Sequence, residues 1–203
     1  MDSFDGWLVV GLGNPDEEYA KTRHNVGFEV VDLLVRLWKA RDWRSRFHGR
    51  FTQAEPPSLS AVALLLKPMT YMNLSGRSVQ GAMTFYRVPP ERTLVVHDDM
   101  DLEFGTLRLK EGGGTAGHRG LESIAAAVGP GFLRLRFGIG RPDLSGAVDH
   151  VLSPFTRDER SELDRLVPAA AEMVETAMAK GPAAAMNAFH RRKRPKPPDE
   201  PGD

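Results

Sequence analysis

The sequence predicts a single α/β domain built on a central mixed, twisted sheet flanked by helices. Three observations lead there. Short β-rich apolar runs alternate with segments of helical period along the chain. Several neighbouring β-runs have no helix between them, which calls for antiparallel as well as parallel pairing. The 203 residues, 41% of them hydrophobic, suffice for one substantial core but not for two domains with linkers. The domain is expected over 1–190, with 191–203 as a tail.

The first apolar run, Trp7 to Val10, ends at once in Gly11-Leu12-Gly13-Asn14-Pro15 and reads as a buried strand entering a tight loop. Apolar residues at Val26, Val30, Leu33, Leu34, Leu37 and Trp38 have the spacing of an amphipathic helix, with Asn25 as its N-cap. Phe47 to Gln53 and Ala61 to Leu66 read as strands separated by the Pro56-Pro57 turn, and a helix is expected from Leu74 to Tyr86. Thr93 to His97 is β-rich and ends in Asp98-Asp99-Met100-Asp101, while Thr106 to Lys110 alternates like a half-exposed strand. Gly112-Gly113-Gly114-Thr115-Ala116-Gly117 forms a loop leading to a helix near Leu121 to Val128. Phe132 to Ile139 alternates apolar residues with Arg134, Arg136 and Gly138, which predicts a strand with one buried face and one basic face. A long helix from Asp158 to Lys180 and a shorter one through Met186 to Phe189 complete the fold. From Arg191 onward, five basic residues and Pro195, Pro197 and Pro198 give way to acidic ones, a composition that cannot bury a core and is expected to be disordered.

Composition removes several classes of function. Lys plus Arg equals Asp plus Glu at 27 each, so any nucleic-acid surface must be local. Without cysteine there is no disulfide framework, no thiolate zinc site and no thiol nucleophile. The opening residues lack a secretory pattern and no apolar run approaches a membrane span, so a cytoplasmic protein without membrane contact is expected.

Polar residues gather on the loops at the strand ends, where a rigid sheet holds side chains open to a ligand. Four of these loops carry Asn14, His24, Asn73 and Asp98. A histidine with a carboxylate partner can take a proton from water near neutral pH, and neutral amides can bind a peptide backbone or hold a water. Each residue also has a plain structural reading. His24 or Asn73 would cap a helix, Asn14 would make a turn, and Asp98 would be a solvated strand-end acid.

The motifs around these residues carry a resemblance. Gly11-Leu12-Gly13-Asn14-Pro15, Tyr19, and Thr22-Arg23-His24-Asn25-Val26-Gly27 resemble the N-terminal signature of the bacterial-type peptidyl-tRNA hydrolases. Lys67 through Gly76, His97 through Leu102, Gly112 through Leu121, and Arg136 through Pro142 continue the match in order, and Val151 through Phe155 and Ala185 through Asn187 fit the C-terminal part. The resemblance covers nearly Trp7 to Phe189.

The resemblance implies an enzyme that hydrolyses the ester between a peptide and the terminal ribose of tRNA, working as a monomer on peptidyl-tRNA, without DNA, cofactor or metal. It implies His24 as the base that activates water and Asp98 as its orienting partner. Asn14 and Asn73 would hold the peptide backbone, Asn73 also helping with the water or the oxyanion. Tyr71 and Met72 would line the cleft, and Tyr19, His118 and Arg119 are counted with the substrate-binding residues. Arg108, Lys110 and Arg136 match the family's basic residues near the acceptor end of tRNA. Their spacing alone fits a solvated sheet face equally well.

Two positions depart from the family pattern. Asp16 stands where the family usually has Gly, a change a turn tolerates. Arg119 stands where the family commonly has Asn with a part in positioning substrate or water, so that role does not carry over. A guanidinium donates hydrogen bonds but cannot accept them, so Arg119 is either a substrate-binding group or a solvated loop residue. Two rival functions follow from the sequence. Gly11-x-Gly13 after a strand suggests dinucleotide binding, but the third glycine is replaced by Asp16, and Pro15 interrupts the helix start that should hold pyrophosphate. A non-catalytic RNA-binding relative would account for Arg119 but not for the presence together of His24, Asp98, Asn14 and Asn73.

Overall fold

The computed structural model describes residues 4–142 and 146–190. The tail expected at 191–203 lies outside the described residues. Seven strands form one mixed sheet: β1 (Trp7–Gly11), β2 (Arg44–Arg46), β3 (Gly49–Ala54), β4 (Ala63–Pro68), β5 (Thr93–Asp99), β6 (Leu107–Glu111) and β7 (Leu133–Gly138). Their order is β2-β3-β4-β1-β5-β7-β6. β1 runs parallel to β4 and β5, and β5 parallel to β7, whereas β2, β3 and β6 join through antiparallel pairs. The mixed sheet expected from adjacent helix-free β-runs is therefore present.

Alternation along the strands divides the core into two layers. Val9, Leu65, Val96 and Leu135 face α1 (Val26–Leu37), α5 (Arg157–Lys180) and α6 (Pro182–Phe189). Leu8, Val10, Leu66 and Val95 face α2 (Ser75–Tyr86) and α3 (Arg119–Val128). α5 begins with a capping box in which Thr156 accepts from the Glu159 N–H and Glu159 accepts from the Thr156 N–H.

Three local expectations are corrected. The strand expected from Phe47 is split, because Phe47 and His48 adopt left-handed φ values of 55° and 51° and turn the chain between β2 and β3. No Asn-Gly or Asp-Gly pair announces that turn. It is held by the Phe47 ring packing on Phe51, Phe85 and Tyr86. Asn25 does not cap α1 and has another task, described below. The basic face expected for β7, opposite its buried one, is itself partly buried, with Arg134 at 2% exposure beneath the glycine-rich loop. A short helix not expected from the sequence, α4 (Ala147–Leu152), precedes α5.

From β1 the chain first builds β2, β3 and β4 on one side, then crosses to β5 on the other. The C-terminal ends of β1 and β5 thus flank a topological switch point, where open α/β sheets form their crevices. Two glycines let the elements there close up. A side chain at Gly11 would run into the Gly27 carbonyl, and one at Gly27 would lie 2.5 Å from both the Leu12 nitrogen and the Val96 oxygen. The start of α1 therefore presses on the ends of β1 and β5, which brings the residues before α1 against the end of β5. Near a helix start with free space, Gly27→Ala would gain stability of up to about 1 kcal/mol from helix propensity. With backbone atoms in the way, it is expected to lose about 1–3 kcal/mol in urea unfolding. A stabilised Gly27→Ala protein would contradict the close approach.

Candidate active site

The loop after β1 holds its shape through paired amides. The Asn14 N–H donates to Asn25 Oδ1 at 2.8 Å, and Asn25 Nδ2 donates to the Asn14 carbonyl at 3.0 Å. Asn25 thus acts as a short strand for Asn14 to pair with. Asn14 Oδ1 in turn accepts from the Met72 N–H at 3.0 Å, fastening the segment after β4 to the loop after β1. With its oxygen bonded to Met72, Asn14 keeps both amide N–H groups for a ligand.

Beside this clamp, Arg23 is buried at 6% exposure and holds the segment between α4 and α5. Its guanidinium donates to Ser153 Oγ (2.6 Å), the Pro154 carbonyl (2.8 Å) and Glu159 (2.6 Å), and it lies over the Phe155 ring. The residue before His24 is thereby fixed to the chain that leads into α5.

His24 meets Asp98, at the end of β5, through Nδ1 and Oδ1 at 2.8 Å. The same carboxylate oxygen lies 3.1 Å from Nε2 of His118. His118 is the N-cap of α3, and its Nδ1 accepts from the N–H groups of Gly120 (3.1 Å) and Leu121 (3.3 Å). Those bonds leave the ring proton on Nε2, so His118 donates to Asp98. An ionised carboxylate only accepts, so His24 also donates through Nδ1. Neutral His24 therefore keeps a bare lone pair on Nε2.

Burial alone would push the Asp98 pKa up, since the group is 2% exposed. The electrostatic attraction of the His24 and His118 ring N–H groups, and the hydrogen bonds they donate, outweigh that effect and hold its carboxyl well below the usual carboxylate range. His24, Asp98 and His118 present their three atoms within 4.8 Å of one another, a spacing that could also suit a metal ion. A metal at that centre would need the lone pair of His118 Nε2, with the ring proton moved to Nδ1 against two backbone N–H groups. The arrangement fits a hydrogen-bonded network instead.

These groups open on a cleft of about 350 Å³. Asn14, His24, Tyr71, Met72, Asn73, Asp98, His118 and Arg119 all line it, so most of the residues singled out in the sequence meet here. Tyr71 is 58% exposed at the rim and Met72 is buried beneath. Asn73 is exposed, does not cap α2, and its side chain hydrogen-bonds to none of the described residues. Arg119 is the exposed first residue of α3. Val148, Val151 and Leu152 of α4 supply an apolar wall that the sequence reading did not foresee. Tyr19 stays outside, in the turn Glu17–Tyr19, where its backbone carbonyl accepts from Thr22.

A second cavity of about 280 Å³ adjoins the cleft, sharing Asp99, Asp101, Thr115 and Ala116 with it, and is lined by Lys110, Arg134, Arg136 and His97. Lys110 stands opposite Arg134 and Arg108 opposite Arg136 across β6 and β7, so all four belong to one sheet face. Arg136 is paired with Asp99 at 2.7 Å. Arg108 is not among the residues lining this cavity and instead donates to the His190 carbonyl at 3.0 Å.

His97 was not singled out from the sequence, yet it supports Asp98 from within. Its Nδ1 donates to the Asp98 carbonyl at 2.7 Å, and its ring meets that of His118 edge to face at 5.0 Å. Burial, then the neighbouring His118, pushes its pKa down from 6.5 to about 3.

Comparison with known proteins gives a consistent result. The family described as peptidyl-tRNA hydrolase matches residues 8–197. The peptidyl-tRNA hydrolase of Sorangium cellulosum is 51% identical over 194 residues, covering 94% of this chain and 85% of the relative. That of Clostridium novyi is 40% identical, covering 91% and 97%. The crystal structure of the Acinetobacter baumannii peptidyl-tRNA hydrolase is similar with a TM-score of 0.84 at 38% identity, covering 95% of this chain and 98% of that one.

The lowered pKa of His97 makes stability depend on acid. Below pH 6.5 the unfolded chain takes up a proton at His97 that the folded chain refuses until about pH 3, so stability falls with pH across that window. His97→Gln should remove this contribution, flattening the loss of unfolding free energy between pH 7 and 5 by roughly 1–2 kcal/mol. Parallel pH profiles for the two proteins in urea unfolding would show that His97 is not held neutral.

Proposed function

The chain belongs to the peptidyl-tRNA hydrolase family, and from that membership we propose that His24 and Asp98 carry out the hydrolysis of its peptidyl-tRNA ester. The observation that supports this most strongly is the double donation to Asp98 Oδ1, which leaves His24 Nε2 unprotonated in a residue lining the cleft. The peptide ester lies with its carbonyl carbon near His24. Nε2 takes a proton from water as the water oxygen bonds to that carbon. Asp98 remains ionised, keeps the imidazole turned and stabilises the imidazolium. The exposed amide of Asn73 donates to the oxyanion, and the free N–H groups of Asn14 hold a peptide carbonyl. The carbon–oxygen bond to the ribose then breaks, and the leaving ribose oxygen takes the proton from His24. Peptide and free tRNA are released.

Tyr71 and the apolar residues of α4 flank the peptide. All these groups come from one chain, which suits a monomer. Lys110 and Arg136, beside the cleft, bind acceptor-stem phosphate, and Asp99 holds the Arg136 guanidinium in place. Arg119 adds a cation at the cleft wall where substrate passes. Arg108 contributes charge from the same sheet face, with its guanidinium tied to His190.

His24→Ala should remain folded and lose roughly 10²-fold or more in kcat, and Asp98→Asn should lose much of its turnover because an amide no longer enforces the tautomer. Release of labelled peptide from peptidyl-tRNA measures both. A His24→Ala enzyme within about tenfold of the parent would refute the assignment.

The phosphate reading predicts that kcat/KM for peptidyl-tRNA falls with added salt, whereas a short peptidyl-nucleotide ester shows little dependence. Replacing Lys110, Arg136 or Arg119 with Met should each lower the logarithmic salt slope by about 0.7–0.9 if that residue meets a phosphate. Equal slopes for the two substrates would place substrate recognition elsewhere.

A further inference from the structure

The glycine-rich segment from Gly112 to His118 delivers His118 to Asp98, yet it has little packing of its own. Gly112, Gly113, Ala116 and Gly117 all have left-handed φ, at 54°, 93°, 49° and 76°. The positions where Gly114 and Gly117 would carry a side chain have nothing within 4 Å. Such a chain has many alternative conformations, and each fastening that selects one must overcome their entropy. The backbone supplies few fastenings. Gly112 N–H donates to the Phe132 carbonyl at 3.1 Å, and His118 N–H to the Thr115 carbonyl at 2.9 Å.

Arg134 supplies the others. Its Nη1 donates to the Gly114 carbonyl at 2.6 Å and its Nη2 to the Gly113 carbonyl at 2.8 Å, while the guanidinium lies 4.7 Å from the centre of the Phe132 ring. The side chain is 2% exposed, and among the described residues it has no carboxylate partner. Burial and the neighbouring Arg136 both lower the proton affinity of this guanidinium. A buried cation without a counter-ion is costly, and an apolar side chain would fill the same space more cheaply. The forked group, however, can grip two consecutive carbonyls at once, which neither an apolar residue nor a lysine can do.

We propose that Arg134 is a positioning residue for the hydrolytic site, fixing Gly113 and Gly114 so that the loop presents His118 as a donor to Asp98. The inference rests on the reading of His24 and Asp98 given above. It makes Arg134 act at a distance. The guanidinium touches neither Asp98 nor His24, and its effect passes along the loop to His118 and into the carboxylate. Thr115 to Arg119, which line the cleft, are set by the same anchor.

The test compares Arg134→Met, Arg134→Lys, His118→Ala and the double variant Arg134→Met/His118→Ala. A short peptidyl-nucleotide ester lacking the acceptor stem serves as substrate, so that lost phosphate contacts do not enter. Proton NMR with ¹⁵N-labelled histidine follows the ring N–H signals. In Arg134→Met, the hydrogen-bonded Nε2–H signal of His118 should be lost while the Nδ1–H signal of His24 persists. Amide exchange over 113–118 should rise at least about tenfold. The value of kcat should fall by about the same factor as in His118→Ala, with KM within about twofold, and the double variant should be no slower than His118→Ala alone. Arg134→Lys should recover only part of the loss, and it supplies the same comparison if Arg134→Met does not fold. An unchanged His118 signal, or losses that multiply in the double variant, would overturn the proposal. A lost His118 signal with unaltered kcat in every variant, His118→Ala included, would leave the positioning intact and count against Asp98 as the partner of the base.

Discussion

One oxygen of Asp98 accepts from two imidazoles, and the rest of the site depends on that shared bond. A carboxylate buried at the end of a central strand would ordinarily be expelled or protonated. Here two ring N–H groups offset its desolvation and keep it ionised. The charge so retained dictates which nitrogen of His24 carries the proton, and therefore which nitrogen is free to act as a base. His118 takes part because its other nitrogen is committed to the first turn of α3. The tautomer of His24 thus depends on a helix cap on a different part of the chain.

Holding three elements to this geometry requires close backbone contact. Gly11 and Gly27 allow α1 to press on β1 and β5, and the reciprocal amide pair of Asn14 and Asn25 ties the two ends of the loop between them. Asn14 then secures Met72, so the segment after β4 is fixed to the same frame. Arg23 anchors the chain beside His24 to the residues between α4 and α5. Each of these polar groups is buried and bonded, which holds the chain firmly where His24 and Asp98 sit. The exposed groups at the rim, Tyr71, Asn73 and Arg119, remain available to a ligand.

Much of this was legible in the sequence. The two periods of hydrophobicity give the layers of the fold, and the strand-end positions of Asn14, His24, Asn73 and Asp98 converge as their placement suggested. What escaped the sequence concerns groups whose bonds lie far along the chain. Asn25 stands where a helix cap belongs, and only the folded loop shows that its amide pairs with Asn14. Arg134 fits the alternation of a basic strand face, but its burial depends on a glycine loop some twenty residues earlier. His97 reads as a neighbour of Asp98 rather than its internal support. The turn at Phe47 and His48 has no local signal because aromatic packing, rather than backbone preference, maintains it.

A chain with equal numbers of acidic and basic residues still gathers cations locally beside its cleft. Lys110, Arg134, Arg136 and Arg108 share one sheet face, on which Arg134 is turned to the glycine loop and Arg108 to His190, while Asp99 orients Arg136 beside Lys110. Neighbouring strands β5, β7 and β6 thus set Asp98, Arg136 and Lys110 side by side. The proposed hydrolysis depends most directly on which ring nitrogen of His24 carries the proton. Its ring nitrogens can be observed directly by ¹⁵N NMR of histidine-labelled protein near neutral pH. In its neutral form the ring is expected to carry its proton on Nδ1, bonded to Asp98, and to leave Nε2 bare. A neutral ring carrying its proton on Nε2 would contradict that expectation.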